Sequence, residues 1–171
     1  MIKILKKIDK KVIEIVNKNR NTFLDEIMLF ASRLGNAGFI WIFIALILLS
    51  KDEYHFYGIE VLESMVVGSI ICNLVLKPIF ERTRPYDKYP KLTKLIDLND
   101  YSFPSGHTLA SFSSATVLLS MNLTIGILAL LLASLIAYSR LYLNVHYFTD
   151  VFFGMILGIV ISLFIILIWS I

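Results

Sequence analysis

The sequence predicts an all-α integral membrane protein: a bundle of about five transmembrane helices, preceded by amphipathic helices at the membrane surface. Three observations carry that expectation. Of 171 residues, 57% are hydrophobic, against roughly 45–50% in a soluble globular domain, and the mean hydropathy is +0.76. Five apolar stretches succeed one another after residue 36, and the richest polar clusters stand at their ends. The single cysteine, Cys72, lies in an apolar run without a partner, which excludes a disulfide framework and a cysteine zinc site. It reads as a small packing residue.

Residues 3–18 place Ile4, Leu5, Ile8, Val12, Ile15 and Val16 at helical spacing, with Lys3, Lys6, Lys7, Lys10, Lys11, Glu14 and Lys18 between them. This basic amphipathic helix either lies at the headgroups or docks, solvated, on the bundle. It forms one unit, residues 1–20, and the transmembrane unit takes 21–171. Residues 1–20 have no continuous apolar core, so no cleavable signal is expected and the first true span drives insertion.

Residues 22–34 form a second amphipathic piece, whose Asp25, Glu26 and Arg33 weigh against a full crossing. Gly35-Asn36-Ala37-Gly38 then reads as a break. The five spans are about 37–50, 58–77, 105–120, 123–142 and 146–169. The first and third are short against the ~20 residues that cross a ~30 Å core. The third is short because polar chemistry occupies its N-terminal end, which recesses that chemistry below the headgroups. The joints 51–57 and 121–122 are tight, as between antiparallel neighbours.

Small residues recur every four positions, at Ser111/Ala115, Ala129/Ala133/Ala137 and Gly154/Gly158/Ser162. Such rows let helix backbones approach closely in lipid. The one long polar connection, Arg84–Phe103, has the length of a functional loop and reads as a lid or substrate-binding segment, with a solvated connector as the alternative.

Three polar clusters remain. Lys77 to Pro85 ends the second span, Pro104-Ser105-Gly106-His107 opens the third, and Ser139 to Asp150 joins the fourth to the fifth. Charged groups beside hydrocarbon cost roughly 2.5–3.5 kcal/mol each at a helix centre, so their persistence points to a task. Alternating helix directions bring all three clusters to one side of the membrane. Pooled, they offer Lys77, Arg84 and Arg140 as cations, and Ser105 with backbone N–H groups at a helix N-terminus. They also offer His107, His146 and Asp150.

Cations facing a helix N-terminus describe an anion site, and an arginine fork suits phosphate oxygens. Gly106 lets backbone approach the anion without a Cβ in the way. Two histidines divide into a nucleophile and a general acid for phosphoryl transfer. No carboxylate pair suited to Mg²⁺ accompanies them, which leaves the cations to stabilise the transition state. If Asn144 or Val145 opens the last helix, His146 and Asp150 lie one turn apart on one face. Taken singly, each group has a plainer reading: Lys77 and Arg84 snorkelling, Ser105 capping a helix, Arg140 pairing with Asp150.

The three clusters resemble the signature motifs of the type 2 phosphatidic acid phosphatase (PAP2) superfamily, Lys-x6-Arg-Pro, Pro-Ser-Gly-His and Ser-Arg-x5-His-x3-Asp. Here they are Lys77…Arg84-Pro85, Pro104-Ser105-Gly106-His107 and Ser139-Arg140…His146…Asp150, with every spacing met. The resemblance covers about residues 21–169. It implies a PAP2-like bundle in which His146 attacks phosphorus and Asp150 orients it. His107 protonates the leaving oxygen and then activates water, while Lys77, Arg84, Ser105, the Gly106 amide and Arg140 cradle the phosphoryl oxygens. It implies no metal and no cofactor, and a lipid phosphate or diphosphate arriving sideways from the bilayer; no nucleic-acid partner is expected.

Undecaprenyl diphosphate and phosphatidylglycerol phosphate lead as substrates, with phosphatidic acid and a lipid A phosphate behind them. The compact chain favours the polyprenyl diphosphate. A membrane phosphotransferase shares the first chemical step and stands as the alternative. A vanadate haloperoxidase is disfavoured by the five spans, and a non-catalytic lipid-binding protein by the intact His107/His146/Asp150 set. The resemblance puts the site on the extracytoplasmic face of a multi-pass cell-membrane protein. The basic residues oppose this: Lys3, Lys6, Lys7, Lys10, Lys11, Lys18, Arg20, Arg33, Arg82, Lys88, Lys91 and Lys94 share the catalytic face with only Lys51 opposite, and the positive-inside bias makes such a face cytoplasmic.

Overall fold

The computed structural model describes residues 2–170, and every regular element in them is helical. Helix α1 spans Ile2–Lys18 and α2 Thr22–Leu34. A tight turn over Asn36–Gly38 leads into α3, Phe39–Leu49. Helix α4, His55–Ser69, runs through a π-helical stretch, Ile70–Leu76, into α5, Lys77–Phe80. The short α6, Pro85–Lys88, lies in the long connection, and α7 (Gly106–Met121), α8 (Leu123–Tyr142) and α9 (Phe148–Trp169) complete the bundle.

Helices occupy all five apolar stretches. Three runs are long and apolar enough to cross a membrane alone: the one within Asp52–Lys88, α8 and α9. Helices α2 and α3, bent by 48° at the break, qualify together as one broken span. The charges of α2 therefore sit on the first limb of a bent pair. Its N-terminus is capped by Asn21, whose side chain accepts from Leu24 N–H at 2.9 Å, and Arg20 Nε pairs with Asp25 at 2.9 Å. The bend is set by backbone in the left-handed region at Ala37 (φ 50°) and Gly38 (φ 70°). Glycine suits that conformation, and a Cβ at Gly38 would stand 2.1 Å from Met65 Cε.

Helix α7, 16 residues long, is too short to cross alone. It is instead the central helix, packed on α8, α9 and α4, with nine of its residues buried. The rows of small residues make this packing. Ser111, Ala115, Ala129, Ala133, Ala137, Gly154, Gly158 and Ser162 are all buried. A Cβ at Gly158 would come within 2.5 Å of Leu109 O, and one at Gly154 within 2.7 Å of Ser105 O. The α9 backbone thus lies against that of α7 as the four-residue repeat requires. Trp41, Leu48, Phe112, Leu118 and Ile136 fill the space between α3, α7 and α8. Phe43, Leu46, Leu74, Leu131, Leu163, Phe164 and Leu167 are exposed, as a bilayer-facing surface needs.

The two N-terminal helices are not peripheral. Val16 of α1 and Met28 of α2 are buried with Tyr86, Tyr142, Leu143 and Val145 in a second core. That core clamps the α8–α9 connection. Its charge pattern leaves the lysines of α1 outside while the apolar side and Asp9, only 3% exposed, face inward.

Candidate active site

Four helix ends build the site. The first is the end of the α4–α5 run. Lys77, 8% exposed, follows the π-helical stretch and donates from Nζ to Asn73 Oδ1 at 2.8 Å and to the Asp100 carboxylate. Glu81, left-handed at φ 42°, then ends α5. Arg84 is extended, as a residue before proline prefers. Its guanidinium is fully engaged: Nε donates to Asp100 O at 2.9 Å, Nη1 to Val145 O at 2.7 Å and Nη2 to Asp100 Oδ1 at 2.5 Å.

The second contribution is the N-terminus of α7. Ser105 is buried and caps the helix: its Oγ accepts from Thr108 Oγ1 at 2.9 Å and from Thr108 N–H. The His107 ring lies against the α2–α3 break, with Nε2 2.9 Å from Asn36 Oδ1. Gly35 leaves room for it, since a Cβ there would be 3.0 Å from His107 Cδ2.

The third is the end of α8. Arg140 is 1% exposed and donates from Nη1 to Ser32 Oγ of α2. Its Nε is buried with no hydrogen-bond partner. A buried guanidinium N–H without an acceptor is costly. The Arg140 side chain also lines the cavity described below.

The fourth is the α8–α9 connection, where the last helix starts later than the spacing suggested. Asn144 is left-handed at φ 58°, and α9 begins at Phe148 because Asp150, in its first turn, accepts Tyr147 N–H at 2.8 Å. His146 therefore precedes the helix and does not share a helical face with Asp150. Its Nδ1 lies 2.6 Å from Ser102 O and 3.6 Å from Asp150 Oδ2. A carbonyl only accepts, so Nδ1 carries the proton and Nε2 keeps its lone pair, 3.4 Å from Arg84 Nη1. Burial, followed by the charges of Arg84, Arg140 and Lys77, holds the His146 pKa well below the ordinary imidazole value. The ring stays neutral where a free imidazole would titrate.

Lys77, Arg84, Gly106, His107, Arg140 and His146 line one cavity of about 390 Å³. Ser105 and Asp150 do not line it; Ser105 is the cap beneath, and Asp150, 0% exposed, stands behind His146. The cavity extends along Gly35, Ala37, Gly38, Met65 and Gly68, between the α2–α3 break and α4. Among the described residues, no group of three or more His, Cys, Asp and Glu side chains could hold a metal ion.

Four further residues complete the arrangement and were not singled out by the sequence. Asp100, from the long connection, lays its carboxylate across Lys77 and Arg84. Burial pushes this carboxyl up, but the two cations outweigh it and bring the pKa down to about 2, so Asp100 stays ionised. Ser102 joins His146 to Asp150: its carbonyl takes His146 Nδ1–H, and its Oγ donates to Asp150 Oδ2 at 2.5 Å. Arg82 pairs with Asp150 and with Asp9 of α1. Asp9 alone carried a visible signal, an acidic residue in register with Leu5, Val12 and Val16 on the buried stripe of α1.

The family model of the PAP2 superfamily matches residues 57–170. An undecaprenyl-diphosphatase of Sulfolobus acidocaldarius is 32% identical over 151 residues, which cover 86% of this chain and 72% of the relative. Phosphatidylglycerophosphatase B of Bacillus subtilis is 30% identical over 82% of this chain and 72% of its own. Among solved structures, that of Aquifex aeolicus LpxE superposes with a TM-score of 0.82 at 27% identity, covering 91% of this chain and 93% of that one. A transmembrane PAP2-type phosphatidylglycerolphosphate phosphatase from Bacillus subtilis gives 0.79 at 25% identity, covering 95% and 84%.

Proposed function

The chain belongs to the PAP2 superfamily, and from that premise we propose that it removes a phosphoryl group from a lipid phosphate or diphosphate through a phosphohistidine on His146, without a metal. It is a multi-pass membrane protein and a lipid phosphatase. The observation that carries the mechanism is the deprotonated Nε2 of a buried His146, its lone pair 3.4 Å from Arg84 Nη1, at the wall of a cavity that Lys77, Arg84 and Arg140 also line.

In the first step, the phosphoryl oxygens displace the Asp100 carboxylate from Lys77 and Arg84 and take hydrogen bonds from the three cations and from the Gly106 amide. His146 Nε2 donates its lone pair to phosphorus, and the P–O bond to the leaving group breaks. His107 gives that oxygen a proton, so the lipid alcohol or lipid monophosphate leaves neutralised by one charge. In the second step, His107 takes a proton from water. The hydroxide attacks phosphorus, the P–N bond breaks and inorganic phosphate leaves. Ser105 serves by capping α7 and Asp150 by holding Ser102 and the field behind His146. The part of the cavity between the α2–α3 break and α4 gives the lipid its sideways approach.

Undecaprenyl diphosphate and phosphatidylglycerol phosphate are the favoured substrates. The S. acidocaldarius and B. subtilis relatives support both. The test is phosphate release by the purified protein from undecaprenyl diphosphate, phosphatidylglycerol phosphate, phosphatidic acid and a lipid A phosphate, with chelator present. Release from one of the first two, undiminished by chelator, is expected; release from none of the four overturns the reading. Release only with an added lipid or sugar acceptor would identify a phosphotransferase.

The site belongs on the extracytoplasmic face, as the family resemblance implies and against the charge bias of the chain. A cysteine placed at Lys91 is expected to react with an impermeant thiol reagent in intact cells. Protection there would put the site in the cytoplasm.

A further inference from the structure

Asp150 is completely buried, and a buried carboxylate needs a counter-charge. None of the three cations at the cavity supplies it. The counter-charge is Arg82, whose Nη1 bonds Asp150 Oδ1 and whose Nη2 donates to Asp9 Oδ2 of α1 at 2.6 Å. Arg82 Nη1 also reaches Thr149 Oγ1 at 2.6 Å, and the guanidinium carbon sits 3.9 Å from the Tyr147 ring centroid. Asp9, 3% exposed, in turn receives Thr149 N–H and Thr149 Oγ–H, both at 2.9 Å. It thus ties the first turn of α9 to α1.

The same arginine holds the other side of the histidine. The Arg82 carbonyl accepts Ser102 N–H at 2.8 Å, and Ser102 O receives His146 Nδ1–H at 2.6 Å. Both groups that fix the imidazole, Ser102 directly and Asp150 through the Ser102 hydroxyl, are therefore bonded to Arg82. Arg82 is itself fixed by a carboxylate on the amphipathic N-terminal helix.

We propose, taking His146 as the nucleophile, that Arg82 and Asp9 are positioning residues that hold Asp150 and Ser102 and so aim His146 Nε2 at phosphorus, which makes α1 part of the catalytic apparatus. Neither residue lines the cavity, so they act on the reactive geometry and leave substrate binding alone. A misplacement of about 1 Å costs about 100-fold in rate.

The isosteric Asp9→Asn and the charge-conserving Arg82→Lys separate this role from a structural one. Substrate turnover is measured on the best wild-type substrate, together with competitive inhibition by inorganic phosphate and the melting temperature in detergent. Asp9→Asn is expected to lower kcat about 10-fold, and Arg82→Lys about 30-fold, with KM and competitive inhibition by inorganic phosphate within twofold of wild type. The double variant is expected to be no slower than Arg82→Lys alone, because both act through one chain of bonds. Wild-type kcat in either single variant overturns the assignment. So does a fall in kcat matched by lost inhibition by inorganic phosphate and a lower melting temperature, which would mark a purely structural contact. If the wild-type protein itself releases no phosphate, it is the phosphatase mechanism that fails.

Discussion

His146→Ala is expected to lower kcat by about 10⁴- to 10⁶-fold and to abolish acid-sensitive labelling of the protein by a ³²P-phosphorylated substrate. Loss of a nucleophile removes the first bond-forming step, and what remains is the catalysis that binding and charge stabilisation give to water. The variant keeps Lys77, Arg84 and Arg140 on the cavity, so substrate binding should persist while turnover is lost. Rapid-quench labelling is the decisive measurement. A labelled His146→Ala protein, or turnover within tenfold of wild type, would remove His146 from the reaction.

His107→Asn is the second large effect, a fall in kcat of about 10²- to 10⁴-fold, the range that general acid–base catalysis supplies. This variant should behave unlike the first. Its nucleophile is intact and its base is missing, so hydrolysis of the phosphohistidine stalls and labelled protein accumulates. The loss of kcat/KM, which reports the phosphorylation step, should also be smaller for a diphosphate than for a monophosphate lipid, since a leaving phosphate needs a proton less than a leaving alcohol does. The checks are the amplitude of the labelled fraction and the ratio of kcat/KM values on the two substrate types. Equal losses on both, with no labelled protein, would show that His107 does not act as acid and base. Its contact with Asn36 would then be the whole of its role.

The helices and the cavity-lining residues were legible in the sequence for different reasons. Apolar runs announce bundle helices by composition, and the small-residue rows announced close helix packing, which the structure realises where Gly158 of α9 lies against Leu109 O of α7. Lys77, Arg84, His107, Arg140 and His146 were legible because they stand at helix ends that topology brings to one side. Their partners were not. Asp100, Ser102 and Arg82 lie in connecting segments without a period, and their importance comes from what they touch across 16 to 68 positions of sequence. The start of α9 was misplaced for a related reason. The cap is Asp150 reaching back to Tyr147 N–H, while His146 is drawn out of the helix toward Ser102 O, a partner 44 residues away. Local spacing could not weigh that distant carbonyl. The same holds for the bent α2–α3 pair, whose charges looked prohibitive until the turn at Ala37 and Gly38 divided them from the apolar limb.

The carboxylate of Asp100 has a consequence for how the site fills. It spans Lys77 and Arg84 from the end of the connection that runs back to Pro85, half exposed and ionised down to about pH 2. Lys77 and Arg84 are therefore already paired with an anion of the chain's own. A phosphoryl group that engages Lys77 and Arg84 must evict or share with this tethered tenant, so arrival of the lipid is an ion exchange. The affinity that results measures the advantage of two or three negative charges over one. A singly charged headgroup, abundant in any bilayer, has no such advantage. On the proposed mechanism, that exchange favours the multiply charged end of a lipid.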